Sequence, residues 1–378
     1  MTMPNGTEAL LVNQQGISVS AKRTYRLVAA GRCVLADEQV PLVPELLVDD
    51  GLLVHDTDLL PFKPGTDVVV KAEAHAPGGR EVGELVAGAA VGERSARLRV
   101  VGRRRVTRRN GSWAFSDPEP FAKAEIGWRE AYGGIDAVAR EKLDGPRLDA
   151  LQKYTQYSLK FVTVAAYPRN PVGKGYVVEE HAGVDGLDLP TVEDPDDPLT
   201  PGRLFAGHPD AWTRQPLPAG LWFVNYGWFP RSAFAGLDRV TLPPGTAPSS
   251  ARVPEVERGW APADVLEGRP TAARFHVKVS HGAPPPLALE PHLSGREEVT
   301  LTNLDPREPE LRFQLPGERP RIAIRPLGEG EREAPARLTS VIVDVPRRRV
   351  SLVWSAVVVP RLPHIPQNEP KVGFRVGW

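Results

Sequence analysis

Carboxylates crowd two stretches of the chain, Glu179-Glu180-His181 and Glu193-Asp-Pro-Asp-Asp197. Paired carboxylates could serve glycoside hydrolysis or hold calcium. Pro195 interrupts the second stretch, which lacks the regular alternation of a calcium loop, so an acidic loop facing solvent or a partner is the favoured reading. His276 and His281 stand five apart around a predicted strand, a spacing that does not put both on one face for zinc. Gly173-Lys-Gly175 lacks a Walker pattern and a following helix, and reads as a glycine turn after Asn170-Pro171. Ser112 and Ser232 have no Gly-x-Ser-x-Gly elbow around them. Cys33, the single cysteine, lies in the apolar run Leu27 to Leu35 and reads as a buried, inert thiol. The stretch Arg94 to Arg109 is rich in arginine, but no aromatic residues interleave as stacking platforms for nucleic acid. It reads instead as a docking face for the acidic 179–197 segment, which suits the planar donor fork of arginine.

The elements that must position these groups are mostly strands. In Val68-Val-Val-Lys-Ala-Glu-Ala-His75 the apolar Val68, Val70, Ala72 and Ala74 alternate with polar positions, and Ala96, Leu98 and Val100 alternate with Arg97 and Arg99. With the turn Ala76-Pro-Gly-Gly79 between them, this predicts an antiparallel meander with one wet face. Only Ile135 to Leu143 and Leu148 to Tyr157 look helical. Residues 167–260 are broken by Pro and Gly at almost every turn, and Trp212, Trp222, Trp228 and Trp260 suggest that the stretch is packed down. Residues 242–270 read as an exposed linker. Strands are predicted again at Arg274 to Val279, Glu298 to Asn303, Leu311 to Leu315 and Arg321 to Ile324. A hairpin follows, Leu338 to Val345 and Val350 to Val359. In the tail Val372, Phe374, Val376 and Trp378 share one face of a strand that must dock, in cis by preference.

Composition narrows the function classes. Lys+Arg and Asp+Glu both total 47, so no global field draws the chain to nucleic acid or an anionic membrane. The 40 prolines and 35 glycines close turns and break helices. The start, MTMPNGTEALLVNQQG, is not patterned as a secretory signal, and no stretch approaches the ~20 apolar residues of a membrane span. A cytoplasmic protein is the expectation.

Several unusual clusters occur in order: Pro61-Phe-Lys-Pro64 with Thr66-Asp67, Trp128-Arg-Glu-Ala-Tyr-Gly-Gly134, Asn170-Pro-Val-Gly-Lys-Gly-Tyr176, Leu189-Pro190 with Glu193, Pro218-Ala-Gly220 and Trp228-Phe-Pro-Arg231. Together they resemble a bacterial family of adaptors or chaperones encoded beside type VI secretion spike genes, over roughly residues 30–360. The resemblance implies a non-enzymatic protein that binds an effector with a PAAR tip domain, or the spike protein itself, and loads the effector onto the spike. It implies no catalytic residue and no cofactor.

The expected fold is mainly β, with antiparallel sandwich-like sheets, a Pro/Gly-rich loop segment and a few short helices. Residues 1–19 are expected as an arm and 361–378 as a tail, flanking an adaptor domain at 20–360. Within it, 20–110 and 271–360 form the β scaffold and 111–241 the motif-rich loops. Lys63, Asp67, Arg129, Asn170, Glu193 and Arg231 are expected either as internal ties or as partner contacts; Tyr132, Trp228, Phe374 and Trp378 complete the candidate set. A glycan-binding or glycan-active β-sandwich and a structural part of the injection apparatus are the alternative readings.

Overall fold

β-Branched runs with two-residue periodicity become strands here, and the Pro/Gly-dense middle becomes loops laid over them. The computed structural model describes residues 6–13, 16–60, 62–149, 165–234, 254–261, 277–326, 328–360 and 372–378. The larger sheet contains β1 (Glu8–Asn13), β2 (Gly16–Arg26), β4 (Val34–Leu35), β7 (Thr66–Lys71), β17 (Ala288–Leu289), β22 (Arg337–Asp344) and β23 (Arg349–Val358). Its order is β1-β2-β23-β22-β7-β17, with β4 also on β2. The second sheet runs β16 (Val192–Glu193), β10 (Arg94–Val101), β9 (Glu84–Val91), β18 (Glu298–Thr302), β19 (Glu310–Gln314) and β3 (Gly31–Arg32). Inner-facing residues of both, such as Val70 and Val343 from one and Leu98 and Leu301 from the other, belong to one continuous apolar core.

Smaller pairs trim the scaffold: β5 (Leu47–Asp49) with β6 (Leu52–His55), β8 (Glu73–His75) with β13 (Lys123–Glu125), β11 (Val106–Arg109) with β12 (Ser112–Phe115), and β14 (Tyr132–Gly133) with β15 (Lys174–Gly175). The described helices are short, α1 (Ala137–Glu141), a stretch at 145–149, α2 (Arg231–Phe234) and α3 (Pro254–Glu257). Most of the helix expected over Leu148 to Tyr157 lies outside the described residues.

The fold is mainly β, as the alternation predicts, and the hairpin at the C-terminal end is where it was expected. The meander is corrected. β7 and β9 lie in different sheets, and β7 is a central strand paired in parallel with β22, Val68 opposite Val341 and Val70 opposite Val343. Thr66 to Val70 are buried on both faces, so apolar–polar alternation is not what places this strand. Of the stretch set apart as an arm, residues 8–13 form β1 and residues 16–19 the start of β2 within the larger sheet. The strand expected at Arg274 to Val279 is corrected too. Val277–Ser280 is a 3-10 turn, and 262–276 lie outside the described residues. The turn bends the chain so that His281 and Gly282 reach Asp67, which an extended run would carry past.

The arginine-rich stretch does hold the acidic segment. Glu193 on β16 lies directly across from Arg99 on β10 and bonds it at 2.7 Å. Its other oxygen takes Arg104 at 2.7 Å. Arg97 meets Asp196, Arg105 meets Asp188 and Arg108 meets Glu180, all three at the surface. The solvated reading of Glu193 is thereby overturned, because its side chain is only 1% exposed. The tail docks in cis as β24 (Gly373–Gly377), antiparallel to β20 (Arg321–Arg325), whose other edge carries β21 (Arg332–Ala334). Val372, Phe374 and Val376 pack on the core, and the Trp378 ring lies under the Arg23 guanidinium at 4.1 Å.

Two outcomes follow from this arrangement. Glu193→Gln leaves Arg104 buried without its counter-charge and costs about 3–5 kcal/mol in urea unfolding. Asp188→Asn and Asp196→Asn, exposed in their pairs, cost less than about 1 kcal/mol each. Removing residues 369–378 uncovers half-buried apolar side chains and lowers stability by about 2–4 kcal/mol, measured as a fall in Tm, with no change of oligomeric state by light scattering.

Candidate functional site

Asp67 sits at the centre of a buried charge cluster. It opens β7 after the Pro/Gly turn that carries Lys63, and the ammonium reaches back to its Oδ2 at 2.6 Å. The same oxygen accepts the Gly282 backbone N–H at 2.7 Å, while Oδ1 faces His281 Nδ1 at 2.6 Å. Lys63 also donates to Ser340 Oγ on the neighbouring β22 at 3.1 Å. Burial alone would raise the Asp67 carboxyl. The Lys63 charge and the His281 contact more than reverse this, holding it well below the usual carboxylate range.

A second pair stands alongside. Arg231, at the start of α2, donates to Asp56 Oδ2 at 2.7 Å and to the Val279 and Val224 carbonyls at 2.8 and 2.6 Å. Its guanidinium lies 3.5 Å over the Tyr226 ring, whose hydroxyl burial pushes up to about 12. Residue 282 must be glycine, since a Cβ there would collide with the Asp56 carboxylate.

The motif-rich loops form a knot over this floor. Asn170 Nδ2 donates to the Trp128 and Tyr132 carbonyls at 2.8 and 3.1 Å. Trp128 covers Gly220, donates to the Phe223 carbonyl at 2.9 Å, and meets Trp228 edge to face at 5.8 Å. Tyr132 OH donates to Gln215 Oε1 at 2.9 Å. Arg169 is fully buried, with Glu255 of α3 accepting from its Nε and, at 2.7 Å, from its Nη2. Residues 254–261 of the expected linker are thus docked, and the rest of 242–270 lies outside the described residues.

Of the sequence-derived candidates, Lys63, Asp67, Tyr132, Asn170, Glu193, Trp228 and Arg231 are all buried ties. Six of them make hydrogen bonds or ion pairs inside the protein, and Trp228 packs edge to face on Trp128. Arg129 alone of the charged set is at the surface, 3.2 Å from Asp50. Phe374 is half-buried in the docked tail, and Trp378 is 38% exposed. Burial raises the Cys33 thiol to about 12, in keeping with an inert cysteine.

What the sequence does not single out is a cleft beside His281. It encloses about 230 Å3 between α2, the Arg258–Trp260 turn after α3, and the 3-10 turns Val277–Ser280 and Pro285–Leu287. An adjoining lobe of about 560 Å3 shares Arg94, Arg258, Trp260, Pro285 and Pro286 with it. Cations, an imidazole and one carboxylate, Glu290, line the smaller lobe, and no Ser, Thr or Cys is among its described lining residues. That chemistry suits recognition. The run Ala283-Pro-Pro-Pro286 was the available signal, since three consecutive prolines hold a rigid extended wall.

Asp67→Asn removes the counter-charge from buried Lys63 and costs about 3–5 kcal/mol at neutral pH. Folding lowers the Asp67 pKa, so its stabilisation is fully present above the unfolded value, about 4, and is lost as pH falls through the folded one. Urea midpoints measured against pH therefore show wild type and variant far apart at pH 7 and converging in acid.

No curated protein and no solved structure matches the chain. A family profile described as an uncharacterized protein conserved in bacteria (DUF2169) matches residues 13–355. That span takes in the second sheet, the larger one apart from most of β1 and the end of β23, the Asp67 cluster, the loop knot and the cleft, and the chain accordingly belongs to this bacterial family.

Proposed function

We propose that the chain is a non-enzymatic adaptor that binds a PAAR-type effector and loads it onto the type VI secretion spike. The reading starts from the ordered motif clusters, which resemble those of such adaptors. The observation that supports it best is where those motif residues sit. Trp128 to Gly134, Asn170 to Tyr176, Pro218 to Gly220 and Trp228 to Arg231 interlock through buried contacts. They hold a long, loop-built surface in one shape. A protein that recognises another by surface complementarity gains from such preorganisation, because its loops lose little entropy on binding.

Deleting the gene is expected to abolish delivery of one cognate effector while the secretion tube still assembles. Tagged protein is expected to capture that effector from the product of a neighbouring gene in a defined stoichiometry. Failure of tube assembly in the deletion strain would mark a structural component instead. Binding on a glycan array, without effector capture, would favour the carbohydrate reading.

A further inference from the structure

We propose that the cleft beside His281 seats an acidic, extended peptide segment of the protein partner. The partner's existence rests on the adaptor reading; the place and chemistry of contact go beyond it.

The first support is an unused nitrogen. The His281 side chain is 8% exposed, and its Nε2 makes no hydrogen bond, the nearest carboxylate oxygen, on Glu290, being 3.5 Å away. Nδ1 is taken up by Asp67, so Nε2 is the ring atom left for a further partner on the cleft side. That nitrogen can bond a polar group of whatever enters. A buried polar atom of this kind gives up free energy until it is paired.

The second support is charge. Arg94, Arg231, Arg258 and Lys278 line the smaller lobe against Glu290. Arg231 is committed to Asp56, Arg258 to Asp194 and Lys278 to Glu290. Arg94 has no ion pair among the described residues and is exposed at the start of β10. One cation of the smaller lobe is therefore left for an anion from outside, whereas the larger lobe carries Glu93, Asp194 and Asp196, so the acidic group belongs in the smaller lobe. A peptide with an acidic group supplies both needs, a backbone polar group for Nε2 and a carboxylate for Arg94.

The third is shape. Trp260 and the Pro284–Pro286 wall continue into the larger lobe, giving a path longer than a single small anion needs. Prolines offer no N–H, so the wall cannot add a strand by backbone pairing. It offers flat apolar faces to the side chains of an extended chain, as aromatic and proline-lined grooves do.

The test is selection of random dodecapeptides displayed on phage against the full chain, with one library leaving the C terminus free and one leaving only internal side chains. Enrichment of sequences bearing Asp or Glu is expected, and the library in which it occurs tells a side-chain carboxylate from a C-terminal one. Arg94→Glu, which disturbs no buried contact, is expected to weaken the selected peptides by about tenfold or more. His281→Phe is expected to weaken them while leaving the Tm drop to report any structural cost separately. Absence of enrichment, enrichment of basic or purely apolar sequences, or undiminished binding by Arg94→Glu would overturn the proposal. Effector capture is scored in parallel. Capture unaffected by Arg94→Glu defeats the cleft as its docking site and leaves the adaptor reading intact. Acidic peptides selected on a protein that captures no effector support the site and defeat the adaptor reading.

Discussion

A carboxylate with no exposure to water organises this molecule. Asp67 can remain ionised in the interior only while Lys63, His281 and the Gly282 N–H all point at it. An ion of this size loses several kcal/mol of hydration on burial, and only a complete set of donors offsets that loss. The donors come from two distant stretches of chain: Lys63 from the turn before β7, and His281 and Gly282 from directly after the 3-10 turn Val277–Ser280. Lys63 reaches on to Ser340 of β22, the strand parallel to β7. Few arrangements of these segments satisfy every donor at once. The cluster thus acts on the register of the central strand pair and on the approach of two loops together.

The same device recurs wherever regular backbone pairing is sparse. Residues 165–234 contain only the two-residue strands β15 and β16, so ladders cannot satisfy their backbone groups. Side chains do it instead. Arg169 donates to the Thr213 and Gln215 carbonyls while paired with Glu255. Arg231 serves two carbonyls while paired with Asp56. Asn170 serves two more. In each case an amide or a guanidinium replaces absent ladder bonds, and each guanidinium finds its counter-charge on a distant segment. The planar, multi-donor fork of arginine suits this work better than the point charge of lysine.

How much of this can be read from the sequence depends on the range of the interaction. The hairpin of β22 and β23, and strands β18, β19 and β20, are legible because a two-residue period is local. The match between Arg94–Arg109 and the acidic 179–197 segment is legible because both are runs, and complementary runs need no exact register to be noticed. The parallel pairing of β7 with β22 is not, since about 270 residues separate the partners and a doubly buried strand shows no alternation. His281 and Glu255 are lone residues in sequence. Their importance comes from Asp67 and Arg169, which only the fold brings near. The burial of Lys63, Asp67, Asn170, Glu193 and Arg231 is likewise not legible, because a charged or amide residue in a Pro/Gly loop does not display it in its neighbours' identities.

The consequence for function follows from what the buried ties leave over. Asp56, Asp67, Glu193 and Glu255 are each held by a cation inside the protein. The surface above them is consequently shaped by charge without displaying that charge, and a protein docking at the proposed site would meet prolines, a tryptophan and a few rim charges. Shape fixed in advance raises affinity by reducing the ordering cost of association, and discrimination then falls to the few polar atoms still unpaired. At the cleft these are His281 Nε2 and Arg94, one facing in and one at the rim. His281 belongs to both systems. Its Nδ1 helps to hold Asp67, and hence the central strands, while its Nε2 lines the cleft. A ligand that engages Nε2 therefore contacts a ring whose position is set by the same carboxylate that fixes the fold, so recognition at the cleft and order in the core share one side chain.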